Sequence, residues 1–330
     1  MGSARDVLVF FLGAAVTAAL VVLLVPAAPF PHTIDDLGMR KLSTVAAASG
    51  KVDEDDGLAE LLRSASMEDK TVIMTFANEA HALPGSLLQI FLESLHTGVK
   101  TQPLLKHLVV VATDAKAFER CLHMHPLCYL FAANGTAAEL SFHTNIQDYK
   151  DLMWARNRFQ SRVLALGYGF LFTDLDIVWF RNPLLRIPVA ADIALGCDNF
   201  FGDNPYDLDK NANGGFVYAR PTPASVAFFR DWYEARTLYP GSNEQVVFGK
   251  VKHELAAKHG ATVQLVDTTY LSSECEAWKK FNFHEVCTFH ADCLIGLQKK
   301  IDRINAVLHE WKHFKAEQLL LGINSTALTY

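Results

Sequence analysis

Short apolar runs that end in polar residues recur along the chain from residue 69 onward, and segments of helical character lie between them. Residues 71–76 (TVIMTF), for example, are followed closely by Asn78 and Glu79. A continuous apolar run of this length is typical of a strand buried on both faces. The pattern predicts strands at 71–76, 108–112, 128–131, 169–173, 193–197, 215–219 and 263–266, and helices at 87–95, 117–124, 148–166, 223–234 and 244–258. Strands that alternate with helices predict an α/β fold with a mostly parallel, mixed sheet.

The amino-terminal segment has a different pattern, which is apolar throughout. Residues 7–25 carry no charge, and Thr17 is their only polar side chain. A helix of this length spans about 28 Å, close to the thickness of a bilayer's hydrocarbon core. We expect residues 1–6 to be a cytoplasmic tail, 7–25 a transmembrane signal anchor, 26–68 an irregular flexible stem and 69–330 one lumenal domain. A cleaved signal peptide is the alternative, because small residues follow the apolar run at 26–28 (PAA).

Composition narrows the class of protein. The chain is 50% hydrophobic and has a net charge of −6, so it lacks the basic excess of a nucleic-acid-binding protein. None of the six cysteines forms a Cys-x-x-Cys pair, which argues against a structural zinc site of the usual spacing. In a lumenal domain they would form disulfides, but about 15 full pairings of six cysteines are possible. Sequons at Asn134 and Asn324 agree with a lumenal location.

Two aspartates directly after a predicted buried strand are the clearest chemical signal. Strand 169–173 leads into Asp174 and Asp176, and apolar residues follow at 177–180. Residues two apart on an extended chain point the same way, so both carboxylates can face one ligand. Carboxylate oxygens suit Mg²⁺ or Mn²⁺, which are often held by one or two carboxylates together with substrate phosphates. The alternative is that both acids simply end a strand, since Asp-x-Asp is common.

The wider sequence around this pair resembles a known family. Asp174-Leu175-Asp176 after an apolar strand looks like the Asp-x-Asp motif of nucleotide-sugar glycosyltransferases with the GT-A fold. The longer string is similar to the plant nucleotide-diphospho-sugar transferase family, glycosyltransferase family 77. The matching pieces are 107–112 (HLVVVA), 125–129 (HPLCY), 166–183 (LGYGFLFTDLDIVWFRNP), 213–216 (NGGF) and 287–293 (CTFHADC). The resemblance covers about Lys70 to Trp311 and implies a Rossmann-like single domain of GT-A type.

The resemblance also implies an activity. Family members transfer a sugar from a nucleotide-diphosphate donor with retention of anomeric configuration, and they use Mn²⁺ or a similar ion such as Mg²⁺. The expected donor is a UDP-sugar, with arabinose or xylose favoured. The expected acceptor is a cell-wall polysaccharide or a hydroxyproline-rich glycoprotein. The expected location is the Golgi membrane, as a type II protein held by its amino-terminal anchor.

Residue roles follow from matching positions. Asp174, Asp176 and His290 are the expected metal ligands, although His290 is otherwise an ordinary semi-buried histidine. The residues expected to act on the sugars are Asp198, Asn213, Glu244 and Gln245, and those expected to contact the nucleotide donor are Asn78, Arg156, Arg158, Gly214 and Gly215.

Several of these residues have a plainer explanation. Asn213-Gly214 is also a turn signal. Glu244 with Asn243 before it also makes an ordinary helix start. Arg156 and Arg158 are also typical of a solvated helix face. Lys299 and Lys300 match a phosphate-binding position poorly. Glu244 stands where relatives often have Asp, which puts its role in doubt.

Two other functions remain open from the sequence. A nucleotide-sugar hydrolase would use the same metal and phosphate contacts, with water as the acceptor. A non-catalytic partner would bind the sugar nucleotide and assist an active relative. The acidic pair and His290 argue against the partner, whereas the change to Glu244 favours it.

Overall fold

Two sheets organise the part of the chain that the structure, a computed structural model, describes: residues 54–131, 146–187, 190–276 and 282–321. The strands are β1 Thr71–Ala77, β2 Leu108–Ala112, β3 Cys128–Leu130, β4 Gly169–Thr173, β5 Ile177–Trp179, β6 Ile193–Asn199, β7 Asn211–Ala219, β8 Val263–Leu265, β9 Leu271–Ser273 and β10 Thr288–His290. The helices are α1 Glu54–Ala65, α2 Leu87–Thr97, α3 Ala115–Met124, α4 Ile146–Ala165, α5 Pro223–Glu234, α6 Glu244–His259 and α7 Leu297–Leu320.

The larger sheet is mixed and mostly parallel. Its strand order is β3-β2-β1-β4-β7-β6-β8, and β7 runs antiparallel to both of its neighbours. The pairs β1–β2, β1–β4, β2–β3 and β6–β8 are parallel. This confirms the α/β fold with a mixed sheet that the alternating pattern predicts.

An apolar core lies on each face of this sheet. In β1, Ile73 belongs to one core, whereas Val72 and Met74 belong to the other. Neighbouring strand residues point to opposite faces, so a strand that is apolar at every position serves both cores.

The smaller sheet and the last helix were not predicted. Strands β5, β10 and β9 have three residues each, and β10 pairs antiparallel with β5 and parallel with β9. Helix α7 then packs Ile304, Val307 and Trp311 into one of the two cores. These elements bring the carboxyl-terminal part of the chain back to the end of β4.

The expected stem is partly wrong. Residues 54–65 form a helix rather than an irregular segment, and Leu58, Leu62 and Ala65 are fully buried in a core. Leucines four apart lie on one helix face, and burying them stabilises the segment. The folded domain therefore begins before residue 69. The expected tail and anchor at 1–25 and the sequons at Asn134 and Asn324 lie outside the described residues.

None of the helices in the described ranges combines the length and apolar character needed to cross a membrane. The cysteines pair as Cys121–Cys128 and Cys275–Cys293. Cys197 and Cys287 are buried and free. The second disulfide joins the segments on either side of β10.

Candidate functional site

Asp174, Asp176 and His290 form one cluster. Asp174 follows β4, Asp176 precedes β5, and β10 pairs with β5 so that His290 lies opposite Ile177. His290 Nε2 lies 3.2 Å from Asp176 Oδ1 and 3.9 Å from Asp174 Oδ2. One ligand atom from each of the three residues lies within 4.8 Å of the others. Two carboxylates and an imidazole at these distances are suited to one divalent cation.

Two basic side chains approach the same carboxylates. Lys300 of α7 donates to Asp176 Oδ2 at 2.5 Å, and Arg156 of α4 donates to Asp174 Oδ1 at 3.0 Å. The carboxylate oxygens nearest His290 are therefore those that the two basic groups leave free. Those oxygens and His290 Nε2 are the atoms that would hold a metal.

The charges in this cluster shift one another's pKa values. Burial raises the pKa of Asp174, and Arg156 opposes that rise. Burial would also raise the pKa of Asp176, but His290 and Lys300 outweigh it, and the pKa of that carboxyl is lowered. Burial disfavours the His290 imidazolium, yet Asp176 and Asp292 raise its pKa to about 9. A metal ligand must be a neutral imidazole, so a bound cation would replace the Nε2 proton.

Gly215 leaves the space in which this cluster lies. A Cβ atom at Gly215 would stand 2.4 Å from His290 Cε1 and 2.8 Å from Asp174 Oδ2. The backbone oxygen of Gly215 also accepts from Asp174 N at 2.8 Å. Any side chain here would displace two of the three candidate ligands. The three ligands can therefore surround a metal only if residue 215 is glycine.

Arg156 is buried and links Asp174 to Glu244. Its Nη2 donates to Glu244 Oε1 at 2.6 Å, and its guanidinium lies 4.5 Å from the centre of the Phe172 ring. Burial alone would lower the pKa of Arg156, but the two carboxylates raise it. Glu244 Oε2 is buried and has no hydrogen-bond partner within the described ranges. Glu244 therefore keeps one oxygen available to accept a hydrogen bond from a ligand.

Asn213 and Gly214 lie inside strand β7, which rules out the plain turn. The pairing with β6 shifts here, because Leu195 lies opposite Val217 whereas the next residue, Gly196, lies opposite Asn213. The extra residues bend β7 towards α6, where Gln245 Oε1 accepts from Gly214 N at 2.8 Å.

Asn213, in this irregular part of β7, forms hydrogen bonds with two carboxylates. Its Nδ2 donates to Asp198 Oδ1 at 2.6 Å and to Asp292 Oδ2 at 3.2 Å. Burial raises the pKa of Asp198, and Asp292 raises it further against the hydrogen bond from Asn213. Asp198, Asn213, Gly214 and Gln245 thus form one hydrogen-bonded group beside the metal cluster.

Comparison with known proteins now identifies the family. A family model described as nucleotide-diphospho-sugar transferase matches residues 103–304. The chain belongs to the nucleotide-diphospho-sugar transferase family. This confirms the resemblance seen in the sequence. The matched range contains Asp174, Asp176 and His290 together with Lys300.

Three relatives of this transferase come from Arabidopsis thaliana. Uncharacterized protein At4g15970 is 35% identical over 261 residues, which are 78% of this chain and 68% of the relative. UDP-D-xylose:L-fucose alpha-1,3-D-xylosyltransferase 1 is 22% identical over 236 residues, or 64% of each chain. Beta-arabinofuranosyltransferase RAY1 is 29% identical over 87 residues, which are 26% of this chain and 16% of the relative.

Two residues of the transferase that were expected to contact the nucleotide make no hydrogen bond to this group in the part of the chain that the structure describes. Arg158 is exposed, because two residues correspond to about 200° around a helix and place it opposite Arg156. Asn78 is buried at the carboxyl end of β1, where its Oδ1 accepts from His81 N at 3.0 Å. Asn78 is at the sheet edge that also carries Asp174, but it caps a local turn.

Two further residues belong to the transferase site, although neither was predicted as a site residue. Lys300 was set aside on spacing, yet it contacts Asp176. Asp292 was not proposed at all, although its Oδ2 lies 3.4 Å from His290 Nδ1 and accepts from Ser273 Oγ at 2.8 Å. A carboxylate on Nδ1 orients the ring so that Nε2 faces the metal position. The sequence carries an indication of this role, because Asp292 follows His290 by two residues within the motif 287–293.

Proposed function

We propose that the chain is a metal-dependent, retaining glycosyltransferase that moves a pentose from a UDP-sugar to a glycan or glycoprotein. The cluster of Asp174, Asp176 and His290 in a member of the nucleotide-diphospho-sugar transferase family carries this proposal. Mn²⁺ is favoured over Mg²⁺ because an imidazole is among the expected ligands. The retaining outcome rests on the resemblance to the family.

The metal side of the site would bind the diphosphate. Asp174, Asp176 and His290 would hold the cation, which neutralises charge on the departing nucleotide when it is bound. Lys300, which donates to Asp176 Oδ2, would supply a positive charge to a phosphate of the donor. Arg156 is already bound to Asp174 and Glu244, so its role is to orient both carboxylates.

The other side of the site would hold the donor sugar. Asp198, Asn213 and Gln245 offer hydrogen-bonding groups, and the free oxygen of Glu244 can accept from a sugar hydroxyl. Glu244 is longer than the aspartate expected there, but its contact with Arg156 fixes its position. This supports an active enzyme over a non-catalytic partner.

Relatives named as xylosyl- and arabinofuranosyltransferases support UDP-xylose or UDP-arabinofuranose as the donor. The acceptor would be a cell-wall polysaccharide or a hydroxyproline-rich glycoprotein. We also propose that the enzyme is a type II Golgi membrane protein held by residues 7–25, which agrees with the apolar character of that segment.

Release of UDP tests the proposal. Purified full-length protein would be incubated with UDP-xylose or UDP-arabinofuranose and Mn²⁺, with and without wall-derived acceptors. We expect release that requires Mn²⁺ and rises with acceptor, that Asp176→Asn abolishes it, and that Asp302→Asn, at an exposed position on α7, leaves it unchanged. Equal release without any acceptor would indicate a hydrolase. No release by folded, metal-loaded protein would indicate the non-catalytic partner.

A further inference from the structure

A cleft borders the group of residues assigned to the donor sugar, and Asp198 and Gln245 form part of its lining. Its volume is about 220 Å³, and it lies between the end of β6, the start of β7 and the first turns of α6. Its lining includes Asp198, Asn211, Gln245, Val246, Gly249 and Lys252.

Hydrogen bonds connect two residues of the cleft lining, Asp198 and Gln245, to the metal site. Asp198 accepts from Asn213, and Gln245 accepts from Gly214. Asn213 in turn contacts Asp292, the partner of His290. Asp198 and Gln245 therefore belong both to the group assigned to the donor sugar and to the lining of the cleft.

Gly249 leaves one side of the cleft without a side chain. It is exposed in the interior of α6, and a Cβ atom built on it meets no atom within 4 Å. Its φ angle lies outside the left-handed region, so the backbone does not require glycine. A helix-interior glycine costs about 1 kcal/mol relative to alanine. Glycine at this position therefore leaves the space open, although it makes the helix less stable than alanine would.

The buried Lys210 connects the loop between β6 and β7 to the cleft lining. Lys210 Nζ donates to Asn204 O at 2.6 Å and lies 5.0 Å from the centre of the Phe201 ring. Lys252, which lines the cleft, donates to Lys210 O at 2.8 Å. These contacts tie the loop between β6 and β7 to Lys252 in the cleft lining.

We propose that this cleft binds the terminal, uncharged sugar of the glycan acceptor, an inference that rests on the proposed function. Asn211 would bind a hydroxyl group of this sugar and Val246 would pack against a C–H face, while Asp198 and Gln245, assigned to the donor sugar, would lie between the two sugars. The lining contains one acidic side chain, Asp198, and one basic side chain, Lys252, so it has no excess of either charge. An acceptor sugar held here is next to the donor sugar.

Filling the cleft tests this assignment. Gly249→Leu places a side chain in the cleft without a backbone clash, and leucine is a better helix former than glycine. Gly57→Leu is the matched control, because Gly57 lies in α1 and its added Cβ also meets no atom within 4 Å. Full-length proteins would be compared by saturation-transfer-difference NMR with methyl α-L-fucopyranoside and methyl β-L-arabinofuranoside, in the presence of Mn²⁺ and UDP. Calorimetry would measure the binding of UDP-xylose and UDP-arabinofuranose separately.

We expect one glycoside to bind wild type and Gly57→Leu equally, and Gly249→Leu at least about tenfold more weakly, a change of about 1.4 kcal/mol. Binding of the UDP-sugar should remain the same in all three proteins. Unchanged glycoside binding by Gly249→Leu, or no binding of either glycoside by wild type, would overturn the assignment. A parallel loss of UDP-sugar binding in Gly249→Leu would place the donor in the cleft and also overturn it. A wild-type protein that binds the glycoside but no UDP-sugar would contradict the proposed function instead.

Discussion

Replacing Gly215 by alanine should disable the metal site while the adjacent glycine tolerates the same change. The Cβ atom at Gly215 would lie 2.4 Å from His290 Cε1, whereas carbon atoms in contact are normally about 3.5 Å apart. The imidazole would therefore have to move by about 1.1 Å. Metal–ligand distances are fixed to about 0.2 Å, so His290 could not keep its place.

The expected loss follows from that movement. Disturbing the residues that orient metal ligands typically lowers affinity by about 10- to 100-fold, which corresponds to about 1.4–2.7 kcal/mol. At Gly214, a Cβ would meet only side-chain ends, with Gln245 Oε1 nearest at 3.3 Å. Gly214→Ala should therefore weaken Mn²⁺ binding by less than about threefold, or about 0.6 kcal/mol.

Calorimetric titration of Mn²⁺ into the wild type and both alanine variants would measure these differences. Circular dichroism melting curves would establish that both variants are folded. Equal Mn²⁺ affinity for Gly215→Ala and wild type would refute the assignment of His290 and Asp174 as ligands. Equal losses in the two variants would show that any change in this strand disturbs the site, so the contact distances would not explain the effect.

Three other perturbations have definite outcomes. Lys300→Gln should weaken binding of UDP at saturating Mn²⁺ by about tenfold in calorimetry, because a charged contact with phosphate is lost, and Lys299→Gln should not. His125 is buried and its pKa is lowered to about 4, so its unfolded state binds more protons between pH 4 and 6.5, and the contribution of His125 should lower stability by about 2 kcal/mol from pH 7.5 to pH 5. Replacing both Cys275 and Cys293 by serine should lower the free energy of unfolding by about 3 kcal/mol and reduce Mn²⁺ affinity, since that disulfide flanks Asp292.

Each of these outcomes has a result that would contradict it. Equal UDP affinities for the Lys299 and Lys300 variants would exclude a phosphate contact for Lys300. The free energy of unfolding of wild type relative to His125→Gln, measured with urea, should fall by about 2 kcal/mol from pH 7.5 to pH 5, and a difference that does not change with pH would exclude this role of His125. The serine variants would count against a role for the disulfide at the site if they bound Mn²⁺ like wild type.

The pattern of apolar and polar positions was sufficient for the larger sheet. Strands β2 and β4 have the predicted bounds, because runs buried on both faces are continuous and end at polar or glycine residues. Asp174 and Asp176 could be assigned for the same reason, since they directly follow such a run. Helix α1 lies within the expected stem and was not predicted, although Leu58 and Leu62 have helical spacing.

The rest of the site depends on contacts between distant segments. His290 reaches Asp176 only because β10 pairs with β5, and a three-residue strand gives no usable periodicity. Lys300 and Asp176 are separated by 124 positions, and spacing within a motif cannot reveal such a contact. Asn213 was predicted as a sugar contact from the resemblance, while local turn propensity indicated a loop instead of the irregular strand that is present.

The central claim is that Asp174, Asp176 and His290 hold a divalent cation that also binds the donor diphosphate. Pulsed electron paramagnetic resonance of the full-length protein with one equivalent of Mn²⁺ and UDP tests it most directly. The account predicts a nitrogen coupling from an imidazole and a phosphorus coupling from UDP on the same ion. It also predicts that His290→Ala removes the nitrogen coupling and that Asp176→Asn removes the bound ion. A wild-type spectrum without either coupling, or one that these two substitutions leave unchanged, would contradict the account.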